Sequence, residues 1–279
     1  MKSLKNWLLV LSVLSCFGCS SPVHEDGRGC AFVSDSIQYR VEFMSEGCVR
    51  ILSFPEGDTL VTKRLVVDSQ KPAFKDYKWK DTGQQLIFST RELSVAFDKE
   101  DAAFTFQEVS TGKLLLKEKE AKKARHFKRS VAGGEQCLEV TQRFVPTDDE
   151  AIYGLGQYQN GIMNYRGKSV LLLQANMDIV NPFLISTNGY GILWDNYSST
   201  KFEDTKEGYS FTSEVGDASD YYFVYGKNMD EVVAGYRELT GDVPMFGKWV
   251  YGFWQSKERY KSFDELKAVV KEYRFQSVK

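Results

Sequence analysis

Two histidines, His24 and His126, and five cysteines bound the metal and nucleophile chemistry open to this chain. With so few imidazoles, no zinc centre, histidine-based triad or cofactor is expected. Cys16-x-x-Cys19 has metal or redox spacing but lies inside an N-terminal apolar leader. Cys30, Cys48 and Cys137 are odd in number, so at least one is unpaired and no connectivity follows. Tyr153-Gly-Leu-Gly-Gln-Tyr-Gln159 contains a G-x-G, yet Gln159 stands where a dinucleotide fingerprint needs its third glycine and no helix follows. What remains is Asn176 and Asp178, two hydrogen-bonding side chains delivered by a loop just ahead of the apolar run that ends at Trp194. Binding groups tend to sit on loops held by a rigid sheet. Turn-shaping is the plainer reading of the same two residues.

The sheet that would hold them is legible around Asn188-Gly189, a hairpin signal because both residues tolerate φ > 0. A two-residue loop there sets Thr187 against Tyr190, Ile185 against Ile192, Leu184 against Leu193 and Phe183 against Trp194. Both faces are apolar, so the strands should be interior, with Pro182 at the strand start. Upstream, Ile37, Tyr39, Val41 and Phe43 alternate with polar residues, and Val49 and Ile51 resume after Glu46-Gly47. Leu60 to Val67, Leu86 to Thr90, Leu93 to Phe97 and Phe104 to Val109 follow as short strands, which is the spacing of a β-sandwich. Lys117 to Arg129 reads as a solvated helix or loop of mixed charge. Two helices close the chain. Asn228 caps the first, with Glu231 at N3 and a stripe of Met229, Val232, Val233, Tyr236 and Leu239 ended by Gly241. Trp249 to Gln255 reads as a strand, and Ser262 with Glu265 caps a second helix carrying Leu266, Val269, Val270 and Tyr273. Strand then helix after a β-rich domain is how a (β/α) barrel begins.

Lysines and arginines number 36 against 38 acidic residues, a balance that argues against a nucleic-acid partner. Aromatic residues make up 14%, in line with a strand-rich chain and also with sugar binding. Lys2 and Lys5 precede the short apolar run Trp7 to Leu14, too short to span a bilayer. The run ends in Ser15-Cys-Phe-Gly-Cys-Ser-Ser-Pro22, which resembles a bacterial lipoprotein cleavage site. Cys19 follows a small glycine and precedes a polar tether, whereas Cys16 better fits the apolar position three residues upstream; Cys19 is preferred. A lipid on Cys19 would hold the protein on a membrane without a spanning helix, at the periplasmic or outer-membrane surface of an exporting bacterium.

Several stretches together resemble one family. They are the Asn176–Ser198 stretch, Tyr153-Gly-Leu-Gly-Gln157, Arg166-Gly-Lys168, Tyr221-Tyr-Phe-Val-Tyr-Gly226, Tyr236-Arg-Glu-Leu-Thr-Gly241 and Tyr251-Gly-Phe-Trp-Gln-Ser-Lys-Glu-Arg-Tyr260. In this order they resemble the N-terminal portion of glycoside hydrolase family 31, the retaining α-glucosidases and α-xylosidases. The resemblance implies a mostly β fold, a galactose-mutarotase-like β-sandwich followed by the first β/α unit of an incomplete (β/α)8 barrel. It implies a leader over 1–19, a tether over 20–35, the sandwich over 36–241 and the barrel start over 242–279. The partner would be an α-linked oligosaccharide or polysaccharide. Asp178 matches a sandwich-loop aspartate that reaches toward the aglycone sugar, with Asn176 beside it. Tyr260 matches an aromatic near the first subsite and is equally readable as a packing aromatic, whereas Trp254, on the apolar barrel strand, reads more readily as core. The family's catalytic aspartates occur in a later Trp-x-Asp-Met-Asn-Glu type motif, and no such motif occurs here. The resemblance therefore implies a truncated member, inactive alone, with a separately encoded barrel fragment as a further partner. The alternatives are a lipid-anchored carbohydrate-binding sandwich without catalysis and, less well served by the position of His24, a sugar mutarotase.

Overall fold

The structure, a computed structural model, describes residues 23–58, 65–68, 72–120 and 125–276. Cys16, Cys19 and most of the expected strand Leu60 to Val67 lie outside these residues. Among the described residues, eighteen strands form two antiparallel sheets. The first runs in the spatial order His24–Glu25 (β1), Cys30–Ser34 (β2), Ile37–Phe43 (β3), Cys48–Pro55 (β4), Ser219–Tyr225 (β18), Tyr190–Trp194 (β15), Ile179–Ser186 (β14) and Ile152–Gln157 (β12). The second runs Ser169–Leu172 (β13), Thr200–Thr205 (β16), Gly208–Gly216 (β17), Glu135–Val145 (β11), Leu114–Glu118 (β9), Ala103–Glu108 (β8), Leu93–Asp98 (β7), Gln85–Ser89 (β6) and Lys78–Asp81 (β5). Arg125–Ala132 (β10) pairs with β11 beside this path.

Period-two alternation produces the sandwich, because every second side chain of a strand faces the same way. Phe32, Tyr39, Val41 and Ile51 from the first sheet meet Phe88, Val95, Phe97 and Phe106 from the second in one buried cluster. The rings interlock across the gap: Phe106 stacks on Phe223 at 4.2 Å, and Trp194 on Phe211 at 5.5 Å. The sandwich starts earlier than expected. Cys30, Phe32 and Ser34 are buried and paired with β3, so the expected tether over 20–35 contains a core strand. After β15, Thr200–Thr205 and Gly208–Gly216 pair as the hairpin β16–β17.

Two local expectations are corrected. The hairpin at Asn188-Gly189 pairs Ser186 with Tyr190, Ile185 with Gly191, Leu184 with Ile192 and Phe183 with Leu193, one residue out of the expected register. The loop has three residues rather than two. Gly189 N–H donates to Ser186 O at 3.2 Å, and within the loop only Gly189 is left-handed, at φ 90°. Asn188 stays out of the left-handed region because its amide reaches across to Leu114 and Leu115 carbonyls at 3.2 and 2.7 Å. The charged run 117–129 is not a solvated helix or loop where it is described. Its ends belong to β9 and β10, and Glu118 and Arg125 form a buried ion pair.

The outer face of the first sheet is covered by a helix, Met229–Thr240 (α1). Asn228 accepts from Glu231 N–H at 2.9 Å, and Lys227 N–H donates to the Glu231 carboxylate, so the first turn is capped from both sides. Val232 and Leu239 enter a second apolar cluster with Phe183, Leu193, Tyr222 and Val224, while Val233 remains exposed.

The chain divides into two compact units at Gly241/Asp242. In the second unit the expected strand Trp249 to Gln255 is not formed. Lys248–Tyr251 makes a short 3-10 turn and the residues after it are irregular. A strand is stable only when its backbone N–H and C=O groups meet a neighbour, and this unit contains no second strand among its described residues. The helix Phe263–Phe275 (α2) does form, with Ser262 accepting from Glu265 N–H at 3.1 Å.

Candidate functional site

The site is built where β12 meets β14. Gly154, Leu155 and Gly156 are three consecutive residues with positive φ, at 96, 66 and 121°. A Cβ on Gly154 would lie 2.4 Å from Phe183 O, and one on Gly156 would lie 2.1 Å from Ile179 O. Only glycine allows the two backbones this close. Leu155 is left-handed without that excuse and costs about 1–2 kcal/mol locally; its side chain is fully buried in the core, which offsets the cost. Pairing jumps here from Gly154–Leu184 to Gly156–Val180, a bulge on β14 that contains Pro182. Pro182 therefore sits inside the strand rather than at its start, and the bulge is what tolerates its missing N–H.

Beyond the bulge, the strands run into the loop that carries the sequence-identified pair. Asp178 N–H donates to Ala175 O at 3.3 Å, closing a tight turn with Met177 left-handed at φ 68 and 64% exposed. Asn176 is exposed and Asp178 half-buried on this turn. Beneath it, the Tyr158 hydroxyl donates to Leu155 O at 2.9 Å. Burial, helped by Tyr165 and by the Asp178 carboxylate, pushes that phenol up to about 12. The preceding loop is pinned by Arg166, whose guanidinium lies 3.3 Å from Asp204 and 3.8 Å from Glu150. Burial raises the Glu150 carboxyl, while Ser186 and Tyr190 hydroxyls donate to it.

The stem of the same loop lines a cleft of about 310 Å³ in the first unit. Leu172, Pro182 and Leu193 give it apolar walls, and Gln174, Asn181 and Tyr197 give it polar ones. Tyr197 is held at the rim by Leu65 N–H, 2.9 Å from its hydroxyl. Burial, with Asp195 beside it, pushes the Tyr197 phenol up to about 12. Asn196 accepts from Ser198 N–H at 2.8 Å and donates to Val215 O at 3.0 Å, which fixes the segment after β15.

Asn176 and Asp178 are thus brought together. Trp254 and Tyr260 belong to the second unit. Trp254 is 65% exposed, its indole donating to Val250 O at 2.8 Å, and Tyr260 is half-buried with Lys257 Nζ 4.9 Å from its ring centroid. Tyr158, Gln174, Asn181 and Tyr197 were not singled out from sequence. Polar residues directly after the buried strand β15 were the available signal for Tyr197. Among the described residues, no group of three or more metal-binding side chains converges.

Residues 38–203 match the Glycosyl hydrolase 31 N-terminal galactose mutarotase-like domain. The chain belongs to glycoside hydrolase family 31. An α-xylosidase of Saccharolobus solfataricus is 37% identical over 254 residues, 86% of this chain and 33% of that enzyme. A family 31 glucosidase of Pseudescherichia vulneris is 34% identical over 149 residues, 53% of this chain and 28% of its own. The chain thus spans about a third or less of these curated relatives. Among solved structures, a family 31 α-xylosidase from a soil metagenome, complexed with xylose, superposes with a TM-score of 0.75 at 25% identity, covering 92% of this chain and 40% of that one. An α-xylosidase of Xanthomonas citri superposes at 0.76 with 24% identity, over 91% of this chain and 44% of its own, a likeness of fold. The mutarotase-like sandwich expected for this family 31 chain is therefore the fold it has.

Proposed function

We propose that these 279 residues are the substrate-flanking sandwich of an enzyme acting on α-linked xylose or glucose, and that they shape the sugar site without cleaving the bond. The observation that carries this reading is the β12–β14 junction. Three left-handed residues and a proline bulge bend the backbone at the point from which Asn176 and Asp178 project, and such costly geometry concentrates at functional sites. α-Xylosidase and α-glucosidase relatives supply the substrate class. In this reading Asp178 and Asn176 hydrogen-bond the sugar beyond the scissile bond. Retaining hydrolysis needs two carboxyl groups about 5–5.5 Å apart, one nucleophile and one acid/base. That pair is assigned to barrel chain beyond these residues, covalently continuous or separately encoded.

Purified 279-residue protein is expected to leave 4-nitrophenyl α-xyloside and α-glucoside intact; turnover that follows the protein through purification would overturn the non-catalytic assignment. Methyl α-xyloside or maltose is expected to shift the backbone amide resonances of residues 176–178, and Asp178→Ala is expected to abolish those shifts. A loop whose amides do not respond would remove the sugar-facing role.

Export and anchoring through Cys19 are proposed from the leader sequence. Mass spectrometry of protein recovered from a bacterial membrane fraction is expected to show a lipid-modified Cys19 as the first residue. An unmodified mature N-terminus would refute the anchor.

A further inference from the structure

We propose that the cleft between α1 and the end of β15 is a second sugar-holding site, taking a neutral pyranose ring of an α-linked glycan apart from the Asp178 turn. The α-linkage rests on the function proposed above; the neutral ring rests on the cleft itself.

Its volume of about 310 Å³ falls at the lower end of small-ligand sites, about 300–1,000 Å³. The donors inside it are already oriented. Gln174 Oε1 accepts from Val180 N–H at 3.2 Å, which leaves its amide NH2 without an acceptor among the described residues. Asn181 Oδ1 accepts from the Tyr236 hydroxyl at 3.4 Å, which likewise leaves its NH2 free. Tyr236 is in turn fixed by stacking on Phe183 at 4.3 Å. Two fixed carboxamides thus offer donors to ligand oxygens with little ordering left to do. Tyr197 presents its ring at the rim, 55% exposed, with its hydroxyl tied to Leu65. An aromatic face takes the C–H side of a ring whose hydroxyls point outward.

Charge selects against other ligands. Among the described residues the lining contains no lysine or arginine, and its one carboxylic acid is Asp195. A phosphate, nucleotide or uronic acid would meet the Asp195 carboxylate, which is unfavourable in a half-enclosed site. A purely apolar ligand would strand the Gln174 and Asn181 amides. A neutral polyol with one C–H face satisfies all of these groups.

The test uses the full 279-residue chain and isothermal titration with maltotetraose, isomaltotetraose and a xyloglucan heptasaccharide, at ligand concentrations up to about 10 mM. At least one neutral glycan is expected to bind. Tyr197→Ala and Gln174→Leu are each expected to weaken that binding about tenfold or more, with unchanged thermal unfolding showing that the fold survives. Asp178→Ala is expected to retain it. Binding lost with Asp178→Ala but kept in both cleft variants would overturn this site and favour the turn instead. Binding lost in no variant, or equal binding of inorganic phosphate, would also overturn it. Absence of glycan binding by the unaltered chain would overturn it too, while the amide shifts at residues 176–178, which do not line the cleft, would still report on the turn.

Discussion

Arg125→Met is expected to destabilise the sandwich by about 3–5 kcal/mol, the usual cost of stripping the partner from a buried ion. The Arg125 and Glu118 side chains are 3% and 0% exposed. Arg125 pairs with Glu118 and also donates to Tyr39 Oη at 3.0 Å and to Ala102 O at 2.8 Å. Burial opposes its charge, and the Glu118 carboxylate more than offsets this, so the guanidinium stays protonated. Glu118 also accepts from Phe104 N–H, Gln142 Nε2 and Tyr221 Oη at 2.9, 2.9 and 2.8 Å. Without the arginine, a carboxylate is left between the sheets with neutral donors only. The melting temperature should fall by roughly 6–20 °C. The double variant Arg125→Met/Glu118→Leu should recover part of the loss, because no uncompensated charge remains. Denaturant unfolding of both proteins decides it: a single variant within about 1 kcal/mol of the parent would mean that the pair is not sealed from water.

Gly156→Ala should be the most damaging single methyl added near the site. Its Cβ would lie 2.1 Å from Ile179 O and 3.0 Å from Asn181 N, both backbone atoms that cannot swing aside. The φ of 121° adds its own cost, about 1–3 kcal/mol for a residue forced into a sparsely populated region. Relief requires β12 to part from β14, which carries the Asp178 turn with it. The expected result is a loss of at least about 2 kcal/mol in unfolding free energy together with faster amide hydrogen exchange across residues 152–157 and 179–186. Gly161→Ala is the control, since a Cβ there meets nothing within 4 Å although its φ is also positive. If Gly156→Ala were no worse than Gly161→Ala, close backbone approach would not be what holds the junction.

The charged run around these two residues shows where local reading stops. Glu118 and Arg125 sit in a segment whose composition reads as solvated, and nothing in the local pattern marks them as facing partners seven residues apart. Their burial depends on Tyr39, Ala102, Gln142 and Tyr221, which come from four other parts of the chain. Register at the hairpin is similar. Asn188-Gly189 announces a turn, but its loop length is settled by an amide that bonds to Leu114 and Leu115, over seventy residues away. The second unit shows the converse, since an apolar-aromatic stretch becomes a strand only when another strand is present to pair with it.

Alternation of apolar side chains, capping residues and family-like segments were local properties, and they were enough for the two-sheet sandwich, the helix Met229–Thr240 and membership of family 31. The Asp178 turn was also visible, as polar residues ahead of an apolar run. The left-handed Leu155, the bulge around Pro182, the cleft rim at Tyr197 and the buried Glu118–Arg125 pair required the folded chain. Each depends on contacts between residues far apart in sequence, where packing and desolvation outweigh local preference.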